Sequence, residues 1–252
     1  MKLKYLLCLA LVLISFSAFA DPTTKDDYNI YLKSGHHDKA WDEWIKPGFE
    51  SFDEGNFATA GIFLSKAYDK GCRDPMVLFR LGIYLESRGK TKEAAEMLDE
   101  AAKGAKERYP EHPLVKAINR HAGRALFKVD DYKAALPYLN EALKYEPNDF
   151  MLLLIAGQIE RMENNKPQAL VLFERALAAD APEGVTPDPK TTVLGELIIL
   201  TFDLKDFDAC RKYIDEALKL DAKHKVATTY KSKIVEQQQR QKELEIIKKI
   251  VE

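Results

Sequence analysis

Apolar and small residues recur along this chain at helical spacing, and between Lys116 and Pro182 one such pattern is written twice. Gly123, Ala135 and Ala142 return as Gly157, Ala169 and Ala176, each 34 residues on, and Ala122 returns as Ala156. Each copy reads as two amphipathic helices. Small residues stand where the helices must approach closely, while Leu126, Leu139, Leu153 and Phe173 supply the bulk that fills the remaining space. Pro147 ends one copy, because proline cannot continue a helix and restricts the residue before it.

The pattern extends in both directions. Gly48, Gly55, Ala60 and Ala67 are matched 34 residues later by Gly82, Gly89, Ala94 and Ala101. Phe57, Tyr132 and Phe207 take the aromatic position that opens a second helix. Ala101 to Ala142 and Ala176 to Ala217 are each 41 residues, one period plus seven, with the extra residues around Tyr109–Pro113 and Gly184–Lys190. The copies therefore group as two, two and one, and such inserts map to loops on one face of a repeat array. Pro47 predicts that the first helix either starts there or is kinked. Thr191 to Ala222 is the weakest copy, with Thr201 and Cys210 off the pattern. Lys223 to Glu252 lacks Pro and Gly and predicts one more helix. Its first half offers Val226, Ala227, Tyr230 and Ile234 to cover the end of the stack. Its middle, Gln237 to Lys242, is polar all round, and its tip, Leu244, Ile246, Ile247, Ile250 and Val251, is more apolar than a free helix end should expose.

Period and small-residue pattern together resemble the tetratricopeptide repeat. The resemblance implies an all-α, right-handed superhelical solenoid of about five helix-turn-helix repeats over residues 41–222, with 223–252 as a capping helix. It also implies a protein-binding role, in which the first helix of each copy lines a concave groove that holds a protein or peptide partner. The family's groove positions fall on Phe49, Phe79 and Ile83, then on Arg120, Arg124 and Phe127, then on Leu154, Arg161 and Phe202. These positions give a basic centre between apolar ends, suited to a segment with acidic groups between apolar anchors. Asn and Lys, which clamp a terminal carboxylate in some members, are absent from the matching sites: Phe79, Ile83, Arg120 and Arg124 stand there.

Charge and composition narrow the picture. Lys and Arg number 38 against 40 Asp and Glu, a net charge of −2, so no bulk positive field exists to hold nucleic acid. Residues 1–20 carry Lys2 and Lys4, an apolar run, and Ala18-Phe19-Ala20 before Asp21, which reads as a secretory signal peptide. The mature chain is then expected to begin at Asp21, with a polar leader over 21–40, to be exported to the periplasm or secreted, and to have no transmembrane segment. Cys8 sits too early for a lipid anchor. Cys72 and Cys210 belong to the first and last copies, too far apart in a solenoid to pair, which leaves Cys72, in a turn, as the candidate free thiol. His36 and His37 have no ligand-spaced companions, and His112, His121 and His224 stand apart in sequence, so no metal site is expected. No nucleophile, zinc or phosphate-loop motif occurs, so neither catalysis nor a cofactor is expected. Other readings are a structural spacer, an oligomerisation module acting through the terminal helix, or an enzyme that uses the repeats as a platform.

Overall fold

The computed structural model describes residues 26–35 and 37–251. The signal-peptide reading, Cys8 and His36 lie outside the described residues. All regular structure described is helical: α1 Asp27–Lys33, a 3-10 turn Lys39–Trp41, α2 Asp42–Asp53, α3 Phe57–Asp69, α4 Pro75–Ser87, α5 Thr91–Arg108 and α6 Leu114–Lys128. There follow α7 Tyr132–Tyr145, α8 Phe150–Met162, α9 Lys166–Ala178, α10 Pro189–Asp203, α11 Phe207–Leu220 and α12 Lys225–Val251. They form two compact units, one ending at Pro147 and one starting at Asn148. The division falls in the link between α7 and α8, not at either insert. Within each unit, successive helices pack on one another, and α12 also packs on α10.

The turn inside each copy is built the same way five times. Gly55, Gly89, Asp130, Asn164 and Lys205 all have φ between 62° and 77°, the left-handed conformation that closes a helix end. The residue after each one donates its N–H to a carbonyl five positions back: Asn56 to Ser51, Lys90 to Leu85, Asp131 to Leu126, Asn165 to Glu160 and Asp206 to Thr201. Asn56, Asp131 and Asp206 then cap the second helix by accepting from Thr59, Ala134 and Ala209. First helices are capped by Asp74, Asp149 and Asp188, which accept from Met76, Leu152 and Lys190.

Close approach of the two helices explains four of the glycines. A Cβ on Gly48 would lie 2.5 Å from Leu64, on Gly82 2.7 Å from Leu98, on Gly123 2.8 Å from Leu139 and on Gly157 2.7 Å from Phe173. In the last copy this position is Ile198, itself buried.

The structure decides several alternatives that the sequence leaves open. Pro47 neither starts nor delimits α2, which begins at Asp42; the proline sits inside the helix, as Pro137 does in α7. The first insert divides between a longer α5 and a turn in which Tyr109 is buried and its hydroxyl donates to Asp74 Oδ2 at 2.6 Å. Both cysteines are free, but Cys72 is wholly buried in its turn, and burial pushes its thiol up to about 11, so it is no reactive thiol. Among the described residues no helix is long and apolar enough to cross a membrane.

Candidate partner-binding faces

The first helices carry the sequence-derived groove positions, and each unit places its own set. In the N-terminal unit, Phe49 on α2, Phe79 and Ile83 on α4, and Phe127 on α6 are buried. Leu154 on α8 in the C-terminal unit is buried too. These five side chains therefore do not stand out from the packing stripe as expected. Phe49 lies under Tyr28 and Tyr31 of α1, both rings centred 6.4 Å from it. Phe79 is edge-on to His121 at 5.4 Å, and Phe127 lies 5.6 Å from Tyr132. Phe202 is part-buried, edge-on to Tyr230 of α12 at 5.0 Å and to Phe207 at 5.6 Å. The start of α12 therefore covers this position, with Ala227 and Ile234 buried alongside.

The basic positions keep solvent access but are matched inside the chain. Arg120 forks onto Glu146, its Nε 2.9 Å from Oε2, and Lys128 pairs with Glu86. In the C-terminal unit Arg161 Nε is 2.8 Å from Glu196 Oε2, and Gln158 donates to Oε1 at 3.4 Å. Burial nevertheless holds the Glu196 carboxyl above its ordinary value, against the opposing pull of Arg161 and Gln158. Arg124 lies one turn from Arg120 on α6, and the two share a face with Lys128. Between them His121 is held down to about 3, first by desolvation and then by Arg124, Arg120 and Lys128. A partner carboxylate arriving here would exchange with Glu146 or Glu86 rather than meet an uncompensated positive surface.

Sequence reasoning missed a second polar centre in the N-terminal unit. Arg80 is wholly buried on α4, its guanidinium carbon 3.9 Å above the Phe49 ring and its Nη2 2.5 Å from Asp27 Oδ2 on α1. His112 Nδ1 accepts from the Leu114 N–H, so its Nε2 donates to Asp27 Oδ1 at 3.1 Å. His224 works in the same way in the C-terminal unit: Nδ1 accepts from Ala227 N–H at the start of α12, and Nε2 lies 3.0 Å from the Thr191 carbonyl. One signal in the sequence could have found them, since both histidines stand just ahead of a first-type helix, where Asp74, Asp149 and Asp188 stand in the other copies.

Comparison with known proteins agrees with this architecture. The tetratricopeptide repeat family matches residues 75–145 and again residues 121–184. Among solved structures the chain is similar to YrrB, described as a TPR protein with an unusual peptide-binding site, with TM-score 0.60 and 18% identity over 83% of this chain and 98% of that one. It is also similar to MamA from Desulfovibrio magneticus RS-1, with TM-score 0.54 and 18% identity over 75% and 98% of the two chains. MamA AMB-1 gives TM-score 0.57 and 19% identity over 73% and 100%. Comparison with curated proteins found no match. Repeat spacing, turn geometry and glycine packing agree with these matches: residues 75–184 are built of tetratricopeptide repeats.

Proposed function

We propose that the protein is a non-catalytic interaction scaffold of the bacterial cell envelope, holding a segment of a partner protein against the first helices of its repeats. The observation that carries this reading is the α6 face. Arg120, Arg124 and Lys128 share it, and two of them are tied to carboxylates on other segments, with Glu146 36% exposed and therefore exchangeable. An incoming acidic segment can replace Glu146 with little loss of pairing, which favours specificity and encounter rate over raw affinity. The buried Phe79 and Phe127 are the floor under this face rather than its anchors. Export is supported by Lys2, Lys4 and the Ala18-Phe19-Ala20 ending.

The test is co-purification of the mature chain with its partner from the exported fraction, repeated with Arg124→Glu. Loss of the partner in the variant, with circular dichroism unchanged, supports the reading; equal recovery at low salt removes this face from consideration. A second activity, self-association through α12, is favoured by Leu244, Ile246, Ile247 and Ile250, all more than half exposed near its end.

A further inference from the structure

One part of the face assigned to a partner is already covered by the chain itself. Helix α1 has seven residues, too few to be stable alone in water, so its helical form is owed to what it rests on. It rests on Phe49 through Tyr28 and Tyr31, and on Arg80 and His112 through the Asp27 carboxylate. Tyr28 and Tyr31 follow Asp27 by one and four positions, so a single turn of helix presents one anion beside two rings. The receiving surface is complementary in kind: a buried guanidinium stacked on Phe49, with His112 as second donor.

Two features distinguish this seat from ordinary core. A charged side chain with no exposure is costly unless it is paired, and here the shorter pairing, 2.5 Å to Asp27, comes from a short helix 53 residues away, while Asp53 of the neighbouring repeat stands back at 3.8 Å. The fit is also incomplete, since the buried Arg80 Nε has no hydrogen-bond partner among the described residues, while Arg80 can offer a fork to a carboxylate that takes two donors.

We propose that the surface formed by Phe49, Arg80 and His112 is a segment-recognition site occupied in cis by α1. Its ligand in trans is a short helical segment of another protein that carries a carboxylate followed one and four residues later by aromatic rings. Binding of that segment displaces α1, so the chain's own helix sets the threshold for engagement. This rests on the scaffold reading but uses a different surface from the α6 cations.

A protease recognition sequence placed between Ser34 and Asp38 of the full chain, then cut, frees α1 to exchange without removing it. A fluorescent peptide of residues 26–35 is the probe. The cut chain should take it up saturably and at least about tenfold more tightly than the uncut chain. Peptides with Asp27→Asn, or with Tyr28→Ala and Tyr31→Ala, should bind about tenfold more weakly. A peptide that keeps the acid and the two ring positions as Asp-Phe and a later Phe, with the other residues changed, should bind like the native one. Retention of the original segment without exchange makes α1 a permanent cap and overturns the proposal. Exchange seen only between copies of the chain, as a dimer in sedimentation, overturns the assignment to a separate partner. If cutting unfolds the chain, Tyr31→Ala in the uncut protein serves instead, and peptide uptake no greater than that of the unsubstituted chain refutes the site. Failure here with intact dependence on Arg124 leaves the scaffold reading standing.

Discussion

Asp27 and Arg80 are 53 residues apart in sequence, yet their side chains meet at 2.5 Å with no solvent exposure on either. Removing one partner of such a pair ordinarily costs about 3–5 kcal/mol, because the other charge is left buried. Here α1 can lift away and let Arg80 hydrate, so the loss is capped by the free energy that holds α1 down. Asp27→Ala should therefore abolish hydrogen-exchange protection of α1 while leaving α4 to α6 protected, as read by mass spectrometry. Equal loss across α4 would show that the pair supports the whole unit.

Gly123→Ala should destabilise the N-terminal unit by about 1–3 kcal/mol, since the added methyl would meet Leu139 at 2.8 Å. Both tryptophans, Trp41 and Trp44, lie in this unit, so tryptophan fluorescence during urea unfolding follows it alone. Leu139→Ala also destabilises by itself. The two changes together should be less harmful than their sum, because each makes room for the other.

Lys205→Gly should stabilise the C-terminal unit. Lys205 holds φ of 62° in the turn where Gly55 and Gly89 stand in other copies, and a left-handed residue with a Cβ pays about 1–2 kcal/mol. Hydrogen exchange of α10 and α11 should slow by about fivefold or more if 1 kcal/mol is recovered. No change would mean that the turn is held by packing alone.

His121 and Glu196 predict opposite pH responses in the two units, because desolvation shifts each towards its neutral form. His121 is depressed to about 3, so below its ordinary value of 6.5 the unfolded chain takes a proton that the folded chain refuses. Stability of the N-terminal unit should fall as pH drops from 6.5 towards 3, and His121→Gln should flatten that fall in fluorescence-monitored unfolding. Glu196 is raised above its ordinary 4.5, so the folded chain holds its proton longer, and its contribution is lost as pH rises through that window. Glu196→Gln should remove this loss, read from exchange of α8 and α10.

Truncation after Gln241 removes Leu244, Ile246, Ile247 and Ile250 while leaving the packed start of α12, where Ala227 and Ile234 are buried. Self-association through the tip predicts that sedimentation mass falls to one chain and helical content changes only by the residues removed. A single-chain mass before and after truncation makes the tip a plain helix end.

The periodicity alone determined the helices, their pairing into copies and the places where helices touch, because each of these is local. A glycine opposite a leucine sixteen residues on, a cap residue and a left-handed turn need nothing beyond one hairpin. Even Asp130 and Lys205, which break the glycine pattern, keep their place in the register. What the period could not decide is whether a first-helix face meets solvent, since that depends on segments outside the repeat. Phe49 reads as a groove residue by register and is core because α1 lies on it. Arg120 and Arg161 read as open cations and are paired because Glu146 and Glu196 reach them across 26 and 35 residues, distances over which no helical spacing carries information. Arg80 and His112 gave no signal as a pair, because the carboxylate that joins them enters from a helix that the repeat pattern does not contain.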